Sequence, residues 1–218
     1  MGQPQHVAAT RAAYDTVAAD YAELLRDELE HKPFDRATLA AFVDLVRRDG
    51  DGPIADVGCG PGRVTAHLHG LGAQVSGIDL SPAMIAEACA AHPELRFAVG
   101  SITALDLADA TLAGIVAWYS IIHTPPDEQP AVFAELNRVL VPGGHLLLAF
   151  QSGDDERVHL DHAYGHPLSL DVHRLCPDRV AEQLADAGFD VTAPLIREPA
   201  DGEKTPQAYV FAQRATAS

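Results

Sequence analysis

Apolar side chains recur at two different spacings along the chain. Over residues 8–30 they recur every three or four residues, which predicts an amphipathic helix. The apolar positions of this stretch are Tyr14, Val17, Tyr21, Leu24 and Leu25. A second predicted helix, residues 36–47, stops at the Gly- and Pro-containing break of residues 49–53. Two helices therefore precede the first strand.

From residue 54 onward, short apolar runs alternate with helical segments. The predicted strands cover residues 54–57, 74–78, 96–99, 115–119, 145–150, 189–192 and 208–212. The predicted helices cover residues 63–69, 82–91, 128–140 and 177–188. Residues 151–175, rich in Gly, His and Asp, break this alternation and are predicted to be irregular. The alternation is typical of a doubly wound α/β fold, in which helices flank a mostly parallel sheet.

The chain is predicted to form one domain, residues 1–218, because this length suits one large α/β unit and no linker interrupts it. Residues 1–50 are an N-terminal helical segment, and residues 54–150 are the core. Residues 151–175 follow a strand at the carboxyl edge of the sheet, where loops usually shape a substrate pocket.

Composition and charge narrow the classes of partner. Asp and Glu number 31 against 15 Lys and Arg, a net charge of −16, so a nucleic-acid backbone would be repelled. The apolar runs are strand-sized and the first residues are polar, so we expect no membrane span, no signal peptide and a cytoplasmic protein. Three cysteines without C-x-x-C spacing indicate reduced thiols. A small molecule is the favoured partner, and a monomer and a homodimer both stay open.

The first strand runs directly into the glycine-rich segment 58–63 (GCGPGR) and then into a helix. Glycines let the main chain turn sharply and approach a ligand at the carboxyl end of a strand. The G-x-G-x-G spacing is one residue tighter than that of dinucleotide sites, which favours a ligand without phosphates. Asp79 ends the second strand, where a carboxylate can accept hydrogen bonds from both hydroxyls of a ribose. Ser81 is the predicted N-cap of the next helix.

Three segments together carry a family resemblance: DVGCGPGR at 56–63, IDLSPAMI at 78–85 and VGSI at 99–102. They resemble the cofactor motifs of class I S-adenosylmethionine-dependent methyltransferases. The resemblance implies a Rossmann-like, seven-stranded sheet, with S-adenosylmethionine as the cofactor and S-adenosylhomocysteine as the product. The cofactor site that it implies comprises Asp56, Gly58, Cys59, Gly60, Arg63, Asp79, Leu80, Ser81, Met84, Gly100, Ser101 and Ile102.

The resemblance also implies a role for parts of this site. Gly58, Gly60 and Arg63 would flank the methionine moiety, and Asp79 would hold the ribose. The adenine would lie between Leu80 and Met84, with its edge at Ser101 and Ile102. Arg63 fits a second interpretation equally well, an ion pair with a surface carboxylate.

The segment YDTVAADY at 14–21 resembles a helix that many small-molecule members lay over the cofactor. The N-terminal helices would then cap the active site, with Tyr14 and Tyr21 at the methionine end. Both tyrosines fit core packing as well. The segment AWYSIIH at 117–123 stands where the family places the end of its fourth strand, beside the transferred methyl group.

The ring faces of Trp118, Tyr119 and Tyr14 attract a sulfonium cation. Trp118 and Tyr119 are therefore predicted to belong to the cofactor site, together with Tyr14. Methyl transfer requires an acceptor held on axis and can require loss of a proton, so His123 is the candidate base and Tyr14 the second catalytic candidate. His123 is equally consistent with a buried structural histidine that is hydrogen-bonded to a neighbour. Alternation along a strand predicts that Trp118 and Tyr119 point to opposite faces, so that at least one is packing.

Four histidines, His159, His162, His166 and His173, lie within residues 151–175. Gly165 and Pro167 prevent a helical pair among them and no cysteine joins them, so we expect substrate recognition and no metal site.

The favoured function is methyl transfer to an oxygen, nitrogen or carbon of a small molecule. Two alternatives stay open. Asp79 would also serve the ribose of a nicotinamide-dependent oxidoreductase, although no Tyr is followed four residues later by Lys, as it is in short-chain reductases. The other alternative is a protein that binds S-adenosylmethionine without transferring its methyl group.

Overall fold

The computed structural model describes residues 4–200 and 202–216. The strands in these residues are β1 (Ile54–Val57), β2 (Val75–Asp79), β3 (Arg96–Val99), β4 (Leu112–Trp118), β5 (Leu140–Gln151), β6 (Glu156–Ala163), β7 (His166–Arg174), β8 (Phe189–Arg197) and β9 (Gln207–Arg214). The helices are α1 (Gln5–Leu25), α2 (Pro33–Arg48), α3 (Arg63–Gly70), α4 (Pro82–Ala91), α5 (Gln129–Val139) and α6 (Pro177–Asp186). Short 3₁₀ helices cover Glu28–His31 and Ile121–His123.

Seven strands form one sheet in the order β3-β2-β1-β4-β5-β9-β8. Strands β1 to β5 run parallel, and β9 lies antiparallel between β5 and β8. The predicted doubly wound, mostly parallel seven-stranded sheet is therefore confirmed. The chain winds outward from β1 in both directions, so a crevice opens at the carboxyl ends of β1 and β4.

Both faces of the sheet are covered by helices, as the run of buried apolar strand residues requires. On one face, Phe133 and Leu136 of α5 and Leu184 of α6 are fully buried against the strands. On the other face, Phe42 of α2 and Leu68 of α3 are fully buried. No helix of the described residues is long and apolar enough to cross a membrane.

The prediction that residues 151–175 are irregular is wrong. They form the two-stranded hairpin β6–β7, which is separate from the main sheet. Tyr164 and Gly165 make its turn, with φ of 53° and 81°. No residue of β6 is fully buried, and the alternation of apolar residues is short, with Val158 and Leu160 in β6 and Leu168, Leu170 and Val172 in β7.

Several predicted element ends also differ from the structure, among them the ends of two helices. The helix predicted to reach residue 140 ends at Val139, because Leu140 already pairs with Leu112 of β4. The first helix ends at Leu25 rather than at residue 30, and a 3₁₀ turn follows it.

Helix α1 lies over the crevice side of the domain. Its residues Val17 and Ala18 pack on Met84 of α4, and Tyr164 and Leu168 of the hairpin pack against the same cluster. The N-terminal helix and the hairpin therefore cover one end of the sheet together.

Candidate active site

The glycine-rich turn between β1 and α3 holds a backbone conformation that other residues rarely adopt. Gly58, Gly60 and Gly62 have φ of 80°, 53° and 85°. A Cβ atom at Gly58 would lie 2.2 Å from the Cβ of Ser120, which follows β4. Glycine at position 58 therefore lets the ends of β1 and β4 approach closely.

The Asp79 carboxylate joins this turn to the start of α4. Its Oδ2 accepts a hydrogen bond from the N–H of Gly60 at 2.8 Å, and its Oδ1 accepts one from the N–H of Ser81 at 2.8 Å. Burial raises the pKa of the Asp79 carboxyl, while the two backbone N–H groups oppose this rise. Each carboxylate oxygen keeps lone pairs for further donors.

Ser81 is the N-cap of α4, as predicted. Its Oγ accepts a hydrogen bond from the N–H of Met84 at 3.1 Å and donates one to Asp15 of α1 at 2.6 Å. The Ser81 side chain is fully buried, so it ties α1 to α4 rather than facing a ligand.

A cleft of about 770 Å³, part of it open to solvent, lies between the glycine turn, the ends of the strands and α1. Its wall contains most of the residues predicted to form the site. These are Tyr14, Tyr21, Gly58, Gly60, Asp79, Leu80, Met84, Gly100, Ser101, Ile102, Trp118, Tyr119 and His123. Residues that are up to 109 positions apart in the chain thus meet at one cleft.

Four predicted site residues lie behind this wall. Ser81 is one of them. Asp56 is fully buried, its Oδ2 accepts a hydrogen bond from Thr65 at 2.7 Å, and burial raises its pKa to about 6. Cys59 is buried beneath the turn, and its Sγ lies 2.8 Å from where a Cβ of Gly77 would be.

Arg63, the fourth of these residues, opens α3. Its Nη2 pairs with the Glu28 carboxylate at 3.0 Å, so the ion-pair interpretation is confirmed. Its Nη1 is buried and has no hydrogen-bond partner among the described residues. A buried donor of this kind is costly unless a further acceptor reaches it.

Tyr14 and His123 form a hydrogen-bonded pair across the cleft. The Tyr14 hydroxyl lies 2.9 Å from His123 Nε2, and His123 Nδ1 lies 3.3 Å from the carbonyl oxygen of Asp171 in β7. A carbonyl can only accept, so Nδ1 carries the proton, Nε2 accepts and the Tyr14 hydroxyl donates. Burial lowers the pKa of His123 from 6.5 to about 4 and raises that of Tyr14 well above 10.0. The histidine is therefore neutral near pH 7.

The expectation that Trp118 and Tyr119 point to opposite faces is wrong. Strand β4 ends at Trp118, and Tyr119 has a φ of 55°, which breaks the alternation. The two ring centroids lie 5.9 Å apart, and both residues line the cleft. The Tyr119 hydroxyl donates to Gln207 Oε1 at 2.7 Å, and Trp118 stacks on Tyr209 with centroids 5.5 Å apart. Both aromatic side chains are thus fixed from behind by β9.

Comparisons with known proteins agree with this geometry. Residues 54–144 match the family model of a methyltransferase domain. The chain is also similar to 1,6-didemethyltoxoflavin-N1-methyltransferase of Burkholderia thailandensis, solved with bound 1,6-didemethyltoxoflavin and S-adenosylhomocysteine. The two superimpose with a TM-score of 0.75 at 20% identity, covering 99% of this chain and 92% of that one. Residues 54–144 thus match a methyltransferase domain, and the chain shares its fold with that enzyme.

Two curated relatives resemble this chain in sequence. Malonyl-[acyl-carrier protein] O-methyltransferase of Erwinia billingiae is 31% identical over 162 residues, which cover 73% of this chain and 61% of the relative. Trans-aconitate 2-methyltransferase of Escherichia fergusonii is 39% identical over 112 residues, which cover 47% of this chain and 39% of the relative. The chain thus spans less than two thirds of the length of either relative.

Sequence reasoning missed six residues of the cleft. They are His6, Val7, Thr10, Thr103, Ser120 and Thr124. Val7, Thr10, Tyr14 and Tyr21 lie at intervals of three, four and seven on α1, so extending the helical face of Tyr14 toward the N-terminus would have found the first of them. Thr103 and Ser120 are neighbours of predicted residues, and no pattern distinguishes them.

Three of the four hairpin histidines contact different partners. His159 Nδ1 lies 2.8 Å from an Asp171 oxygen, and His166 Nε2 lies 2.6 Å from an Asp20 oxygen of α1. His173 is buried, and its Nδ1 lies 3.1 Å from the Ile122 carbonyl. Among the described residues, no three His, Cys, Asp or Glu side chains are placed to hold one metal ion. His166 and His173 thus hold the hairpin against α1 and the segment after β4, His159 pairs within the hairpin, and none of the four histidines is among the residues lining the cleft.

Proposed function

We propose that this chain transfers a methyl group from S-adenosylmethionine to an oxygen, nitrogen or carbon nucleophile of a small molecule. The observation that carries the proposal is the Asp79 carboxylate. It lies at the carboxyl end of β2, its two oxygens are oriented by the N–H groups of Gly60 and Ser81, and it lines the cleft. A carboxylate fixed in this way can accept hydrogen bonds from both hydroxyls of a ribose.

The other residues of the cleft fit an adenosyl sulfonium. Leu80 and Met84 line the cleft and offer apolar surface for an adenine, and Ser101 and Ile102, which also line it, offer an edge. The buried Arg63 Nη1, which has no partner among the described residues, is a donor suited to the carboxylate of the methionine moiety. An orphaned cationic donor near the glycine turn supports an anionic group at this end.

When bound, the cofactor supplies a methyl group activated by a positively charged sulfur. Trp118, Tyr119 and Tyr14 present aromatic rings at the end of the cleft near β4, where they stabilise positive charge without a counter-ion. Their fixed positions also hold an acceptor on axis, and orientation of this kind supplies much of the rate in a displacement.

The Tyr14–His123 pair provides a path for a proton. Since the Tyr14 hydroxyl donates to the neutral His123, its oxygen can accept a hydrogen bond from the acceptor. As the acceptor is methylated, its proton passes to Tyr14 Oη while the Tyr14 proton passes to His123 Nε2. The comparisons support methyl transfer as the reaction class, because the family model and both curated relatives are methyltransferases.

The first experiment measures binding. Isothermal titration calorimetry with S-adenosylhomocysteine, and separately with NADH, compares the proposed function with the nicotinamide alternative. We expect micromolar or tighter binding of S-adenosylhomocysteine and none of NADH. Transfer of a labelled methyl group to any small acceptor then separates an enzyme from a protein that only binds the cofactor. Absence of S-adenosylhomocysteine binding refutes the proposal.

A further inference from the structure

The cleft wall carries little positive charge. Its ionisable side chains, besides tyrosines, are Asp79, His6 and His123, and no Lys or Arg of the described residues lines it. Two arginines lie behind the wall. Arg63 pairs with Glu28 through Nη2, and its Nη1 is the donor proposed above for the cofactor's own carboxylate; Arg197 pairs with Glu203 beyond Tyr209.

The histidines do not replace the missing cation. His123 is neutral because it is buried, and its Nε2 accepts a hydrogen bond from the Tyr14 hydroxyl. His6 Nδ1 lies 3.5 Å from the Glu128 carboxylate, so this imidazole already has an acidic neighbour. A carboxylate entering this end of the cleft would lose water and meet no cationic side chain of the described residues, only the sulfonium that the aromatic residues already surround, and losing water without a hydrogen-bonding partner is costly.

The same end of the cleft is aromatic. Tyr14, Tyr21, Trp118 and Tyr119 line it, with Tyr14 and Tyr21 in edge-to-face contact at 5.9 Å. Offset and edge-to-face contacts stabilise a further ring placed among them. The Tyr14 oxygen, which donates its own proton to His123, can accept a hydrogen bond from an O–H group of such a ring.

We infer that the methyl acceptor is an uncharged aromatic compound bearing a hydroxyl group, methylated on that oxygen, and that carboxylate-bearing compounds are poor acceptors. The inference rests on the proposed function. In the reaction the acceptor oxygen forms a bond to the methyl carbon, the sulfur–carbon bond breaks with its electron pair left on sulfur, and the phenolic proton passes to the Tyr14–His123 pair. The acceptor would thus differ in charge from trans-aconitate, the compound in the name of one relative.

The test uses matched pairs of acceptors with the full chain and labelled S-adenosylmethionine. Each pair consists of a neutral phenol and the same phenol with a carboxylate: p-cresol with 4-hydroxyphenylacetate, guaiacol with vanillate, and catechol with protocatechuate. Trans-aconitate and benzylamine complete the panel. We expect methylation of at least one neutral phenol, with a kcat/KM at least tenfold above that of its carboxylated partner.

The inference is overturned by three results: equal or faster methylation of the carboxylated partners, preference for trans-aconitate or benzylamine, or no methylation of any neutral phenol. Calorimetry with S-adenosylhomocysteine on the same preparation distinguishes this failure from failure of the proposed function. If the product binds while the phenols are not methylated, only the acceptor class is wrong.

Discussion

The Tyr14 hydroxyl lies 2.9 Å from His123 Nε2, although the two residues are 109 positions apart. Tyr14 belongs to the first helix, and His123 belongs to the 3₁₀ turn that follows β4. The contact is completed by the Asp171 carbonyl of the hairpin, so three separate segments converge on one imidazole.

Replacing Tyr14 with Phe should lower kcat about 100-fold or more, because it removes the hydroxyl that receives the acceptor's proton, while cofactor affinity changes little. Tyr164→Phe is the matched control, since Tyr164 also contacts Tyr21 but does not line the cleft. Steady-state kinetics and calorimetry with S-adenosylhomocysteine measure the two effects. An unchanged kcat in Tyr14→Phe would exclude the proton path.

Replacing Asp79 with Ala should weaken binding of S-adenosylhomocysteine at least tenfold, about 1.4 kcal/mol, because it removes the charged acceptor proposed for the ribose. Asp44→Ala provides a control of the same chemistry at an exposed position of α2. Calorimetry measures both variants. Wild-type affinity in Asp79→Ala would contradict the ribose-binding role.

Replacing Gly58 with Ala should destabilise the domain, because the new Cβ would lie 2.2 Å from that of Ser120 and the φ of 80° is unfavourable for alanine. In the double variant Gly58→Ala/Ser120→Gly, only the steric part is relieved, so a loss of about 1 kcal/mol should persist. Urea unfolding measures the free energy of unfolding of the single and the double variant. A single variant as stable as the wild type would show that the two strand ends are not held this close.

Acid should affect stability through two buried groups with opposite signs. The pKa of His123 is lowered to about 4, so the unfolded chain binds more protons between pH 4 and 6.5 and stability falls on acidification. The pKa of Asp56 is raised to about 6 from 3.8, so the folded chain binds more protons and stability rises on acidification through this window.

The two contributions can be separated with variants. Between pH 6.5 and 4, the free energy of unfolding should fall less steeply in His123→Asn than in the wild type, and more steeply in Asp56→Asn. Thermal or urea unfolding at four pH values tests this. Parallel curves for all three proteins would mean that neither group has a shifted pKa.

The chain's local patterns determined the sheet and the position of the cleft. Buried parallel strands require continuous apolar runs, and a glycine turn followed by a helix requires a specific local sequence. Strand β1, helix α4 and the Ser81 cap could therefore be predicted from residues close together in the sequence. Asp79 could be placed for the same reason, because the end of a parallel strand lies at a known edge of the sheet.

Only the tertiary structure decided which side chains meet and what they face. The hairpin was missed because frequent Gly, His and Asp are typical of loops, although apolar residues alternate at Leu168, Leu170 and Val172. Its more buried face is covered only where it lies against α1 and the segment after β4. The αL backbone of Tyr119, the neutral state of His123 and the burial of Asp56 also arise from contacts between distant segments. The local sequence pattern shows whether a segment forms a helix or a strand and which of its faces is buried. The protonation state and the direction of a side chain depend on residues that are distant in sequence and that only the fold brings into contact.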